Sequence, residues 1–122
     1  MIVVDASALA ALVFGEPDAA DVAARLEDGP VIAPTLLGYE LGSVCLKKIR
    51  KRPRRRRVLM SAVALAGRMA VAEVDVPMPE VIELARTSGL TVYDAAYLWL
   101  ARALDAELVT LDDDLARAAD GR

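Results

Sequence analysis

Ile2-Val3-Val4-Asp5-Ala6-Ser7-Ala8-Leu9 opens the chain, and the reading of this stretch decides the fold. Three β-branched residues in a row, apolar on both faces, make a strand that must be covered on both sides. Asp5 ends the run. The Ala- and Leu-rich segment behind it reads as a helix over 6–13. A buried strand that hands an acid directly to a helix is the first unit of an α/β fold.

The same alternation continues outward from that unit. Gly15-Glu16-Pro17 breaks the first helix, and Pro17 is placed to open a second over 17–26. Asp28-Gly29 closes it before a strand over 31–33. Pro34-Thr35 lead into a long helix over 36–50, interrupted near Pro53 and followed by a helix over 55–70. A strand over 71–76 turns through Pro77 and Pro79 into a helix over 80–87, which Ser88-Gly89 ends. A helix over 93–104, a strand over 107–110 and a short helix over 113–119 complete the pattern. Strands and helices alternate four times, the signature of a parallel sheet with helices on its faces. Ligands of such sheets bind beyond the carboxyl ends of the strands. Asp5 follows the first strand directly and Asp112 follows the fourth by two residues, so both acids are expected at one rim.

A chain of 122 residues suits a single domain over 1–122 with one core. The composition is 56% hydrophobic but only 4% aromatic, so Ala, Val and Leu must fill that core. No apolar run reaches the roughly 18 residues that cross a bilayer, and the N-terminus has no basic segment of a signal peptide. No membrane partner is expected. Cys45 has no partner for an internal disulfide, and its apolar helical setting predicts a buried thiol in a reduced, cytoplasmic protein.

Charge is distributed unevenly. The net value is −3, from 15 bases and 18 acids. Nine of the bases (Lys47, Lys48, Arg50, Lys51, Arg52, Arg54, Arg55, Arg56 and Arg57) lie within 47–57, where there is no acid. The remaining chain has six bases against eighteen acids, or −12. The acidic body can hold cations while the dense basic patch holds a phosphate backbone. A solvated charge run without a partner is the plainer alternative for the patch.

Two acids stand out of place. Glu40 shares a helix face with Leu36, Leu37, Leu41 and Val44, and Asp94 begins a helix whose inward face includes Tyr97, Leu98 and Ala101. A carboxylate on such a face costs several kcal/mol unless it is paired or bound to a metal. Taken singly, Asp5, Asp94 and Asp112 also read as helix caps or first-turn acids, and Glu40 as a partner of Lys47 or Lys48. Gathered together, the four would repel by about 4 kcal/mol per close pair at an effective dielectric near 20. A divalent cation removes that cost, and all-oxygen ligands favour Mg²⁺ or Mn²⁺. With no histidine and one cysteine a zinc site is close to excluded, and metal-free histidine acid–base cleavage of RNA is ruled out. Metal beside a basic patch points to phosphodiester cleavage.

The stretches Ile2 to Leu9, Tyr39-Glu40-Leu41, Tyr93-Asp94-Ala95-Ala96-Tyr97-Leu98 and Leu108-Val109-Thr110-Leu111-Asp112 resemble the PIN-domain nucleases, particularly the short bacterial VapC-type toxins. The resemblance implies a PIN-like three-layer sandwich, its central parallel sheet of four strands, or five, flanked by helices. It implies a Mg²⁺- or Mn²⁺-dependent endoribonuclease, the toxin of a type II toxin–antitoxin pair, homodimeric and inhibited by a VapB-type antitoxin. Carried over by position, Asp5, Glu40, Asp94 and Asp112 form the acidic quartet. Ser7 and Thr110 resemble its supporting hydroxyls, and Asp114 an outer carboxylate. Ser43 stands where the family often has asparagine, and the chain stops at Gly121-Arg122, where many relatives continue into a fifth strand.

Three other readings compete. A PIN-like module that only binds RNA or a partner would be expected to have lost an acid. A processing nuclease outside a toxin pair would share the same chemistry. A phosphoaspartate protein of the haloacid-dehalogenase type wants a second Asp where Ser7 stands, and a receiver domain wants paired acids and a late lysine that are missing.

Overall fold

The computed structural model describes residues 1–121. In chain order it contains β1 (Ile2–Val4), α1 (Ala6–Val13), α2 (Ala19–Leu26), β2 (Val31–Pro34), α3 (Leu37–Lys51), α4 (Arg56–Arg68), β3 (Val71–Val74), α5 (Met78–Ser88), α6 (Val92–Ala103), β4 (Glu107–Val109) and α7 (Asp113–Asp120). A single 3-10 turn, Pro53–Arg55, makes the break expected near Pro53. The third strand is shorter than the expected 71–76. Its pairing with β2 ends at Pro34 opposite Val74, and the chain turns away through Pro77. Helix α5 starts earlier than expected because proline is tolerated in a first helical turn. Gly89 ends it in the left-handed region at φ 72°, which costs a glycine nothing.

All strand pairs are parallel, in the order β3-β2-β1-β4. From β1 to β2 to β3 the chain moves one way across the sheet, and from β3 to β4 it returns past β1. Right-handed crossovers therefore put α1–α4 on one face and α5–α6 on the other. Packing follows that division: α1 touches α2, α3 and α4, while α6 touches α5, α7 and the strands β1, β2 and β4. The result is the expected three-layer sandwich, with four strands among the described residues. The direction of winding reverses between β1 and β4, so the crevice of the sheet opens at their carboxyl ends.

Val3, Val4, Leu9, Val22, Leu41, Leu98, Val109 and Leu115 form the centre of the core. Each large side chain removed from water contributes roughly 1.5–3 kcal/mol. Tyr97 is the one aromatic ring that is fully buried among the described residues. Cys45 is buried as expected, its thiol donating to the Leu59 carbonyl at 3.6 Å. Helix α4 keeps several apolar side chains out of this packing: of its residues only Leu59 is buried, while Val58, Met60 and Leu65 face solvent. No helix among the described residues is long and apolar enough to cross a membrane.

Candidate active site

Asp5 is held from three sides. Its Oδ1 accepts from the Ala8 N–H at 3.0 Å, capping α1, and from Ser7 Oγ at 2.7 Å. Its Oδ2 accepts from Thr110 Oγ1 at 2.5 Å. The two hydroxyls in turn accept backbone protons of the loop after β4, Ser7 Oγ from Leu111 at 2.9 Å and Thr110 Oγ1 from Asp112 at 3.0 Å. Asp5 also donates its own N–H to the Val109 carbonyl at 3.2 Å. The two ends of the chain are stitched together around one carboxylate. Asp112 caps α7, accepting from the Leu115 N–H at 2.9 Å. Capping and membership of the site are thus compatible roles for Asp5 and Asp112.

Glu40 and Asp94 arrive from the two helical layers. Tyr97 donates its phenolic proton to Glu40 Oε1 at 2.7 Å, so a tyrosine on α6 takes the place of the lysine partner the sequence suggested. Thr91 caps α6, its Oγ1 accepting from the Asp94 N–H at 3.1 Å. Asp94 is thereby released from capping. Its carboxylate, with those of Asp5, Glu40 and Asp112, lines a cavity of about 480 Å³ that also exposes Ser7, Ser43 and Lys47.

The electrostatics of this cavity are those of a site short of positive charge. Burial pushes the Asp5 carboxyl above the usual carboxylate range, opposed by its three hydrogen bonds and reinforced by Asp112. Burial raises Glu40 too, against the Tyr97 hydrogen bond and with the help of Asp94 and Asp5. Asp94 rises through burial, then through repulsion by Asp112 and Asp5. Burial and the neighbouring acids also keep the Tyr97 hydroxyl protonated, as a donor must be. The donor set of four carboxylates and two hydroxyls suits a hard divalent cation. Among the described residues no three acidic or sulfur side chains are arranged to hold an ion directly. Asp5, Glu40 and Asp112 instead each rest on a donor of their own, and water would complete the shell of an ion bound among the four carboxylates.

Residues 2–121 match the sequence model of the PIN domain. The chain belongs to the PIN-domain family. Its fold is similar to the crystal structure of PAE2754 from Pyrobaculum aerophilum, with a TM-score of 0.72 and 28% identity over 98% of this chain and 85% of that one. It is also similar to VapC20 of Mycobacterium tuberculosis, described as a sarcin–ricin loop cleaving toxin, with a TM-score of 0.69 and 18% identity over 97% and 95% of the two chains. No curated protein matches the sequence significantly.

In this PIN domain the remaining candidates divide. Asp114 does not line the acidic cavity; it is exposed on α7 and pairs with Arg117, reaching Asp94 only through its charge. Of the nine clustered bases, Lys47 alone lines the cavity. Lys48 is engaged elsewhere, in a 2.8 Å ion pair with Glu16 and 5.2 Å above the Phe14 ring. Arg50, Lys51, Arg52 and Arg54 to Arg57 stand at the far end of α3, on the 3-10 turn and at the start of α4, all of them exposed. Lys48, Lys51, Arg52 and Arg55 surround a second cavity of about 280 Å³ beside Phe14 and Leu59.

Sequence reasoning left three tyrosines out of the site. Tyr39, Tyr93 and Tyr97 all line the acidic cavity. The signal was present: the chain has five aromatic residues, and Tyr39 and Tyr93 each directly precede one of the two misplaced helical acids.

Proposed function

We propose that the chain is a metal-dependent endoribonuclease, the toxin of a type II toxin–antitoxin pair. The observation that carries the chemistry is the convergence of Asp5, Glu40, Asp94 and Asp112, from four separate elements, on one cavity, with no basic partner bonded to any of them among the described residues. These carboxylates would hold Mg²⁺ or Mn²⁺. Such an ion lowers the pKa of a bound water and neutralises charge that builds on the phosphate.

The chain's own residues do the positioning. Ser7 and Thr110 lock Asp5, and Tyr97 holds Glu40 toward the cavity. Lys47 offers a positive charge to a phosphate at the cavity wall. The bases from Arg50 to Arg57 hold the RNA backbone farther along α3. Retention of all four acids favours an enzyme over a module that only binds.

The likeness to the VapC20 fold supports the toxin reading, with a VapB-type protein as antitoxin. The apolar residues that α4 leaves exposed suit a homodimer interface or an antitoxin segment. The buried, unpaired Cys45 suits the cytoplasm. The test of the function is cleavage of RNA by the purified chain. Activity should require Mg²⁺ or Mn²⁺, vanish with EDTA and vanish again in Asp5→Asn with Mg²⁺ present. Cleavage that survives both interventions would overturn the assignment.

A further inference from the structure

The corner between α3 and α4 encloses a cavity of about 280 Å³ that the acidic site does not use. Lys48, Lys51, Arg52 and Arg55 line it, with Phe14 and Leu59 as its apolar surface. It shares no lining residue with the acidic cavity, although Lys47 and Lys48 are neighbours in sequence. One helical residue is a rotation of about 100°, so α3 carries the two cavities on different faces. Glu16 pairs with Lys48 at 2.8 Å, and it is the one acid bonded to this group among the described residues. Lys51, Arg52 and Arg55 make no ion pair or side-chain hydrogen bond among the described residues. Helix ends account for only part of this crowding. Lys48, Lys51 and Arg52 close α3, where the helix dipole favours cations. Arg55 is the N-cap of α4, and Arg56 and Arg57 open its first turn, where the dipole opposes them. That first turn has no acid, and no side chain caps it. Arg55 and Leu59, one turn further on, both line the cavity. The unpaired cations here repel one another until an anion joins them.

We propose that this corner cavity is a second anion site that takes a phosphate monoester, whether the end of an RNA strand or a free mononucleotide. A monoester carries close to two negative charges at neutral pH, so it suits a group of unpaired cations better than a singly charged internal diester does. The recess is walled by the end of α1, by α3, by the 3-10 turn and by α4. Such a recess admits a chain end more readily than a backbone that must enter and leave. Lys48 stands 5.2 Å from the centre of the Phe14 ring and covers one face of it. The ring is then no free platform for a base, and the phosphate carries the recognition. No acid of the quartet takes part, so the proposal does not depend on the nuclease reading.

The test compares short RNA strands of one sequence that end in a 5′-phosphate, in a 3′-phosphate or in hydroxyls only. Binding is measured to the Asp5→Asn chain with Mg²⁺, which leaves the strands intact. A phosphate at one of the two ends should tighten binding roughly tenfold, the scale of a charge-assisted hydrogen bond. Arg52→Gln and Arg55→Gln should each erase that advantage. Arg50→Gln and Arg57→Gln remove the same charge outside the lining and should keep it. All four side chains are exposed, so the fold is not at stake. Adenosine 5′-monophosphate separates the two sources of the ligand. If it displaces the phosphorylated strand at comparable concentration, the site takes free nucleotides; if the strand's advantage resists it, the site takes RNA ends. Adenosine itself should not compete. Equal binding of phosphorylated and hydroxyl strands, with no binding of adenosine 5′-monophosphate, would overturn the proposal. An advantage lost equally in the Arg50 and Arg57 variants would also overturn it, reducing the corner to a diffuse field. If wild-type protein cuts no RNA while the phosphate advantage stands, the nuclease reading falls and this site remains.

Discussion

The two charged regions of the molecule are joined by one helix and built on opposite principles. At the start of α3, Glu40 belongs to a recessed acidic cavity in which Asp5, Glu40 and Asp112 are each fixed by a hydroxyl or a backbone N–H. At its end, about 16 Å away by helical rise, Lys51 and the arginines behind it stand in water. Asp5 is only 4% exposed. Burial makes the acidic charges expensive, so the fold must orient them, and orientation is what chemistry at a phosphate needs. The exposed bases cost little and are free to follow a backbone of any sequence. On the proposed reading, one region would determine what happens to a phosphate, and the other how long the chain that carries it stays.

The sharpest way to break this comparison is to neutralise charge in each region separately. Asp94→Asn should lower cleavage by at least about 10² to 10³, the scale of losing one preorganised electrostatic group, while RNA binding changes little. Single-turnover rates at saturating enzyme would show this directly. A variant that binds poorly yet cuts normally when saturated would reverse the roles.

The converse change is Arg54→Gln, Arg55→Gln, Arg56→Gln and Arg57→Gln together. Affinity for unrelated RNAs should fall on the order of a hundredfold, and the slope of log affinity against log salt should flatten by up to about 0.7 for each phosphate no longer neutralised. The single-turnover rate on bound RNA should survive. An unchanged salt slope would show that these arginines are only solvated charge.

A smaller effect tests how the acidic cavity is held. Thr110→Val removes the donor to Asp5 Oδ2 and the acceptor of the Asp112 N–H. Removing such a supporting partner typically costs roughly 10- to 100-fold in metal affinity or activity. The concentration of Mg²⁺ needed for half-maximal rate should rise, with the salt slope of binding untouched. A lower rate at an unchanged Mg²⁺ requirement would count against the positioning role.

The smallest effect concerns stability. The folded-state values of Asp5, Glu40 and Asp94 lie above 3.8, 4.5 and 3.8 respectively, mainly through burial. The folded protein therefore holds protons that the unfolded chain has already released. Their stabilising contribution is complete below the unfolded values and is lost as pH rises through the raised folded ones. Without metal, the melting temperature should rise as pH falls from neutrality toward the unfolded carboxyl values. Saturating Mg²⁺ should flatten or invert that trend, and the four-Gln variant should keep it. A metal-free protein that loses stability over the same window would refute the repulsive cavity.

The amino-acid order alone determined a good deal of this molecule. Periodicity and punctuation located every strand and helix to within a few residues, because β-branched runs and Gly or Pro stops act locally. The apolar neighbours of Glu40 and Asp94 were enough to mark both as unusual. Only the tertiary structure decided the rest. The strand order β3-β2-β1-β4 sets β1 beside β4, so Ser7 and Thr110, far apart in sequence, meet on Asp5. Tyr97 reads as plain core in its helix until the fold brings it to Glu40, and Lys48 reads as a partner of Glu40 or of a phosphate until the fold brings Glu16 to it. Periodicity reports which face of an element is buried. Which partner waits on that face depends on the winding of the chain across the sheet, a long-range property that no local window contains.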